Sequence, residues 1–298
     1  MKINNIIIIL CLSFFSMSSC QKDIIISPKT YIGKLSIVSL ITPNEFPKVY
    51  VYQTVPYFDP KTKAQQLFKR DVSVKMNGTN EQIIFQIDSI YNIPTCEYFL
   101  FWKGDRLIQE NTSYNLEIID GNKSYKASAN THISKVALDS VTYVKAFNDV
   151  FGEHEGVVLH FKDKQGEENY YRYKMNRFIF DTIVNPTGVI SPCSYGKNNY
   201  VSEIGRTIYN DKNLDGQPFS FVFEPTYKHK EGQEAFVILQ SVDKNIYTFF
   251  DNIDRSKIAQ YNPFVEPVFI QPGQFGTDAI GVFGAYVSSD SLYFEYPE

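Results

Sequence analysis

Apolar and polar positions alternate with a period of two along most of this chain, the mark of strands that bury one face. Residues 31–41 are rich in β-branched side chains, and 49–54 (VYVYQT) make a second run. Residues 72–76 alternate cleanly into Asn77-Gly78, a strong hairpin signal, with 82–87 as the return strand. Residues 97–102 form a further run, and 114–118 alternate into Asp120-Gly121, with 125–127 returning. About seven strands in about 100 residues fit a sandwich of immunoglobulin-like or transthyretin-like type.

A second block starts near Val136. Residues 141–147, 156–161, 170–180, 219–223 and 235–240 read as strands, and 184–199, rich in Pro, Gly, Asn and Ser, as a long loop. One stretch changes period. Ile246, Phe249, Phe250, Ile253 and Ile258 fall on one face at helical spacing, and Asn262-Pro263 ends the helix. Residues 270–284 are Gly-rich, and 285–287 and 292–294 close the chain as strands. The expected fold is all-β with two β-sandwich-like domains: 31–135, and 136–298 carrying one helix packed on its sheet.

The first twenty residues follow neither period. Lys2 gives a short positive region, and 6–15 an apolar core of secretory-signal length. Met17-Ser18-Ser19-Cys20 resembles a bacterial lipobox, with small residues before the Cys that is lipidated after cleavage. The expectation is a signal peptide over 1–19 and a lipid anchor and tether over 20–30, with two or more acyl chains giving stable attachment. Gln21-Lys22-Asp23 resembles the short charged signal that sends Bacteroidota lipoproteins to the outer face of the outer membrane, and reads equally as a solvated linker. No later segment reaches the ~18 apolar residues of a membrane-spanning helix.

Composition narrows the classes. The 298 residues hold 29 basic and 33 acidic side chains, four His, four Cys, 21 Tyr and 24 Phe. That balance argues against a basic nucleic-acid binder, a disulfide-dense mini-protein and a Cys/His-rich zinc protein. Cleavage before Cys20 removes one charge, Lys2, and moves the net charge from −4 to −5. Cys96 and Cys193 remain as either a disulfide across the two domains or two buried thiols.

Asp211-Lys212-Asn213-Leu214-Asp215-Gly216 opens like a calcium loop, with oxygen ligands at alternate positions and a Gly at the sharp turn. The twelfth position is Val222 where a bidentate Glu belongs, so a plain turn is the leading reading and Asp211, Asn213 and Asp215 a weak calcium candidate. No two His have zinc-motif spacing, and no phosphate loop, nucleophile elbow or dinucleotide fingerprint is present. No cofactor and no catalytic residue is expected. The Tyr clusters at 50–58 and 170–173 suit either a ligand groove or ordinary sheet packing. Ser89, Ser140, Thr182 and Ser291 each sit in a D-[ST]-apolar sequence that resembles the O-glycosylation acceptor of Bacteroidota envelope proteins.

Several of these segments, in this order, resemble a family. They are the lipobox, Val49-Tyr50-Val51-Tyr52, Val55-Pro56-Tyr57-Phe58-Asp59, the Tyr114-x-Leu116-x-Ile118 hairpin with Tyr125-x-Ala127, and Leu138-Asp139-Ser140-Val141. Phe161-x-Asp163, Asn169-Tyr170-Tyr171-Arg172, 211–216, Asn262-Pro263-Phe264 and Gly281-Val282-Phe283-Gly284 complete the set. They resemble the Bacteroidota lipoproteins grouped as domain of unknown function 4249. The resemblance implies an N-terminal sandwich of carboxypeptidase-regulatory type, a C-terminal β domain, and outer-membrane lipoproteins often encoded beside TonB-dependent receptors. It also implies that 211–216 is a recurring turn. The expected function is a surface-exposed accessory lipoprotein of an outer-membrane β-barrel complex, anchored through Cys20 and binding a nutrient or the barrel. The alternative is a free-standing glycan- or peptide-binding adhesin.

Overall fold

The structure, a computed structural model, describes residues 33–56, 64–79, 81–92, 97–149, 152–179, 199–223, 229, 231–261 and 273–297. Gly33–Glu298 form one compact unit, and residues 1–32 lie outside the described residues.

The first half supplies β1 (Leu35–Ile41), β2 (Lys48–Gln53), a short α1 (Ala64–Leu67), β3 (Ser73–Asn77), β4 (Gln82–Asn92), β5 (Glu97–Gly104), β6 (Ser113–Asp120) and β7 (Lys123–Asn130). Alternation does the positioning. In β1 every second residue, from Leu35 to Ile41, is buried. Ile37, Val49 and Val51 meet Met76, Ile83, Leu116 and Ile118 in one buried cluster, so the two parts of the ladder face each other like the halves of a sandwich. The hairpin signalled at Asn77-Gly78 forms, with β4 as its return strand. Asn77 stays in the ladder opposite Gln82, and the Gly78 N–H closes the connection by donating to the Glu81 carbonyl at 2.8 Å.

The second half supplies β8 (Ser140–Asp149), β9 (Gly152–Lys162), β10 (Tyr170–Ile179), β11 (Asn199–Asn210), β12 (Pro218–Phe223), β13 (Glu234–Val242), α2 (Lys244–Tyr261), β14 (Ala279–Ser288) and β15 (Leu292–Glu295). A three-stranded sheet, β12-β9-β8, lays Phe161, Phe219, Phe221 and Phe223 against Tyr171, Tyr173, Met175 and Val237 of β10 and β13. Phe161 meets Tyr171 at 4.7 Å between ring centres. The other face of β10 turns to α2, where Tyr170 stacks on Tyr247 and the Arg172 guanidinium lies 4.0 Å over the Phe250 ring. The Tyr run at 170–173 is therefore core on both faces of one strand, the sheet-packing alternative. Ile246, Phe249 and Phe250 seat the helix on Val242, Val282 and Ile208, as their spacing implies.

One ladder joins both halves. The order β11-β10-β13-β14-β1-β2-β5-β4-β3-β6-β7 runs through a parallel β1–β14 pairing, with Ile37 opposite Gly281. Strands from opposite ends of the chain are thus neighbours. The first core combines residues 35–129 with Phe275, Ala279, Phe283 and Ala285, and the second draws on residues from Val136 to Tyr296. Sequence reading assigns no strand to β11 and starts β14 only at residue 285. Gly281 and Gly284, part of the stretch read only as Gly-rich, are the positions where another element approaches too closely for a side chain. The loop reading at 184–199 falls outside the described residues except for Asn199, the first residue of β11.

Candidate functional site

Three connections meet around an open cavity of about 580 Å³. They are the stretch 131–134 after β7, the β9–β10 loop over 163–169, and the β13–α2 junction over 241–245. Each is fixed by identifiable contacts.

At the junction, Asp243 accepts the Ile246 N–H at 2.9 Å on one carboxylate oxygen and the Ala285 N–H at 2.8 Å on the other. It caps α2 and ties the helix to β14 with one side chain. Burial pushes the Asp243 carboxyl up from its ordinary range, against the pull of those N–H groups. Lys244 follows and lies 3.4 Å from Glu168 across the cavity wall.

The β9–β10 loop is held by a knot of carboxylates. Asp163 accepts the Tyr171 hydroxyl on one oxygen and the Gly216 N–H, at 2.8 Å, on the other. Asp211 accepts the Asn169 N–H at 3.0 Å, and Asp215 accepts the Gly166 N–H at 2.7 Å. Asn213 and Gly216 take positive φ, 71° and 70°, which lets the 211–216 turn double back. Asp211 and Asp215 from the weak calcium candidate thus converge with Asp163, and one oxygen from each of the three lies within 4.8 Å of the others. Four of the six oxygens accept N–H or O–H donors that sew the two loops together. Burial raises the Asp211 carboxyl above its ordinary range, with Asp163 and Asp215 adding to the effect.

On the wall itself the charges are paired. Lys164 Nζ lies 2.6 Å from Glu167, which also accepts the Ser134 hydroxyl at 2.8 Å, and these contacts hold the Glu167 carboxyl below its usual range. The Tyr170 hydroxyl, then Lys244, do the same for Glu168. His132 Nδ1 is 2.7 Å from the Asn111 side-chain oxygen. Glu167 and Glu168 are held below their usual range and Asp243 has both oxygens engaged by N–H donors, so this wall can orient and hydrogen-bond a solute.

Away from the cavity, the β4–β5 hairpin exposes apolar side chains. Ile84 is 61% exposed, Ile90 49% and Tyr98 50%. From Gln86 to Tyr91 every residue is exposed, so both faces of β4 lie open there; Tyr91 and Tyr98 meet at 4.9 Å. An apolar surface of this kind marks an interaction site more often than chance.

The family model described as "Domain of unknown function (DUF4249)" matches residues 25–291. This chain belongs to the DUF4249 family. No curated protein matches it significantly. The DUF4249 match spans every element of the cavity, the carboxylate knot and the hairpin.

The remaining sequence candidates are placed as follows. Cys20, Cys96, Cys193 and Thr182 lie outside the described residues. Ser89 on β4, Ser140 at the start of β8 and Ser291 before β15 are exposed. Asp163 was not among the sequence candidates for the acidic knot. It precedes Asp211 by nearly fifty positions, and the available signal was Phe161-x-Asp163 among the ordered DUF4249 segments.

Proposed function

We propose that this DUF4249 chain is a surface-exposed accessory lipoprotein of an outer-membrane β-barrel, a TonB-dependent receptor or similar, and that it binds a nutrient or the barrel without catalysing a reaction. The observation that carries this reading is the spacing between the lipobox Cys20 and the compact unit that begins at Gly33. The intervening twelve residues reach at most about 40 Å even when fully extended. A globule on so short a leash stays beside whatever shares its leaflet. The apolar β4–β5 hairpin supplies a surface for that neighbour, and the paired charges of the cavity wall suit binding more than chemistry.

The test is recovery of tagged full-length chain from outer membrane solubilised in gentle detergent. The reading expects a β-barrel protein in near-equal amount. A clean monomer would overturn it. The cavity favours one second reading, a free-standing adhesin that binds a glycan or peptide; ligand binding without a barrel partner would select it.

A further inference from the structure

We infer that the tip of the β4–β5 hairpin is a second membrane contact, seated among the headgroups of the lipid leaflet that holds Cys20. The inference rests on the reading that Cys20 is lipidated, and adds to it by naming the part of the globule that meets the lipid.

Register places the tip at the end of the ladder where the chain leaves for its anchor. Residues 21–32 connect Cys20 to the compact unit that begins at Gly33. β1 starts at Leu35, opposite Gln53 at the end of β2. Ser36 faces Tyr52, the Tyr52 hydroxyl donates to the Leu100 carbonyl at 2.7 Å, and Leu100 faces Ser89, the neighbour of Ile90. In the order β1-β2-β5-β4 the hairpin is three strands from β1 at most, about 15 Å at ~4.8 Å per strand. Twelve connecting residues reach up to about 40 Å, so a leaflet within reach of the anchor is within reach of the tip.

The tip also has the chemistry of a lipid interface. Residues 89–101 hold one charged side chain, Glu97. Among the described residues, β4 pairs only with β5 beyond Ile84, and β5 pairs with β2 only at Trp102 and Lys103. The outer part of the hairpin therefore stands as two strands without a third. Ile90 faces Phe99 and Tyr91 faces Tyr98, and the two pairs fall on opposite faces. Ile90, Tyr91 and Tyr98 are exposed and Phe99 is half-buried. A protein docked on one of these faces leaves the other in water, whereas a lipid surface covers both. The backbone sets the depth. The unpaired edge of β4 needs water or headgroups for its hydrogen bonds, which keeps it out of the hydrocarbon, at the level where tyrosine rings are favoured.

The test uses the full chain as purified from membranes, in phosphatidylcholine vesicles that contain no other protein, with and without bromine on the acyl chains. Tyr98→Trp puts a reporter at the tip. Tyr293→Trp is the control, exposed on β15, which follows β14 past the C-terminal end of β1. Trp102 is the one native Trp, and its signal in wild type is subtracted from both. Brominated lipid should quench the Tyr98→Trp signal by about half or more and the Tyr293→Trp signal by less than about a tenth. Ile90→Asp, added to Tyr98→Trp, should cut that quenching about twofold or more with circular dichroism unchanged, because it puts a charge into the seat. Equal quenching of the two reporters, or no effect of Ile90→Asp, overturns the inference. So does a Tyr98→Trp signal that responds only once a barrel protein is added, which assigns the tip to the barrel. A glycan on Ser89, read by peptide mass, overturns it too, since a sugar there holds the tip off the lipid. Flotation with the vesicles reads the anchor separately. A chain that floats with an unquenched tip keeps the anchor and loses the contact; one with an unmodified Cys20 that is still quenched at the tip does the reverse; one that does not float loses both.

Discussion

Gly281 packs directly against the Ile37 carbonyl: a Cβ on Gly281 would sit 1.7 Å from that oxygen, and the residue holds φ at 150°. This contact lies at the centre of the parallel β1–β14 pairing that joins the two ends of the chain. Gly281→Ala must therefore displace backbone, and should destabilise by more than about 4 kcal/mol in chemical denaturation or prevent folding outright. Gly121→Ala is the control, since its Cβ would meet nothing within 4 Å at φ 59°; strain alone should limit that loss to about 1–2 kcal/mol.

Asp243 links helix and sheet with two hydrogen bonds. Asp243→Ala strands the N–H groups of Ile246 and Ala285 and should lower stability by about 2–4 kcal/mol by urea titration, since it removes a cap and a second buried acceptor together. Asp243→Asn keeps an acceptor and removes a charge whose ionised form burial disfavours, so it should cost clearly less. An equal loss in both variants would contradict the capping role.

His229 sets an acid dependence. Its ring stacks on Tyr296 at 4.3 Å, and burial holds the imidazole below its ordinary value of 6.5; Arg177 acts the same way, and Glu155 at 3.5 Å opposes. The folded chain then binds this proton less readily than the unfolded chain. The stability it contributes is complete above about pH 6.5 and is lost as pH falls through that value towards the depressed folded one. Thermal melts at pH 7.5 and 5.5 should show wild type losing more than His229→Gln. A constant gap between the two would refute the assignment.

The carboxylate knot is expected to stand without a cation. Asp211→Asn keeps an oxygen for the Asn169 N–H while relieving repulsion from Asp163 and Asp215, and should change stability by less than about 1 kcal/mol. EDTA should leave the melting temperature unchanged. A calcium-dependent rise of several degrees that Asp211→Asn abolishes would make the knot a metal site instead.

If the β4–β5 hairpin is the barrel contact, Ile90→Asp should cut barrel recovery severalfold while leaving the melting temperature within a degree or two, because Ile90 is half exposed and supports no core. Unchanged recovery would move the contact elsewhere.

Much of this fold is legible along the chain. Period-two alternation gives the seven strands of the first half, and Ile246, Phe249 and Phe250 give α2, because each element buries one face on a neighbour. The parallel β1–β14 pairing is not legible, since nothing local in residues 35–41 points to residues 279–285. For the same reason the sequence yields Asp211 and Asp215 but not Asp163, and no cavity at all. That space exists because three connections, far apart in sequence, are anchored by Asp243, Asp163 and Lys164.

The proposed placement of this globule at the membrane rests on Cys20. Intact-mass spectrometry of the mature chain tests it most directly. The account predicts a chain that starts at Cys20 and carries a diacylglyceryl and an N-acyl group; an unmodified Cys20, or a mature chain that begins at another residue, would contradict it.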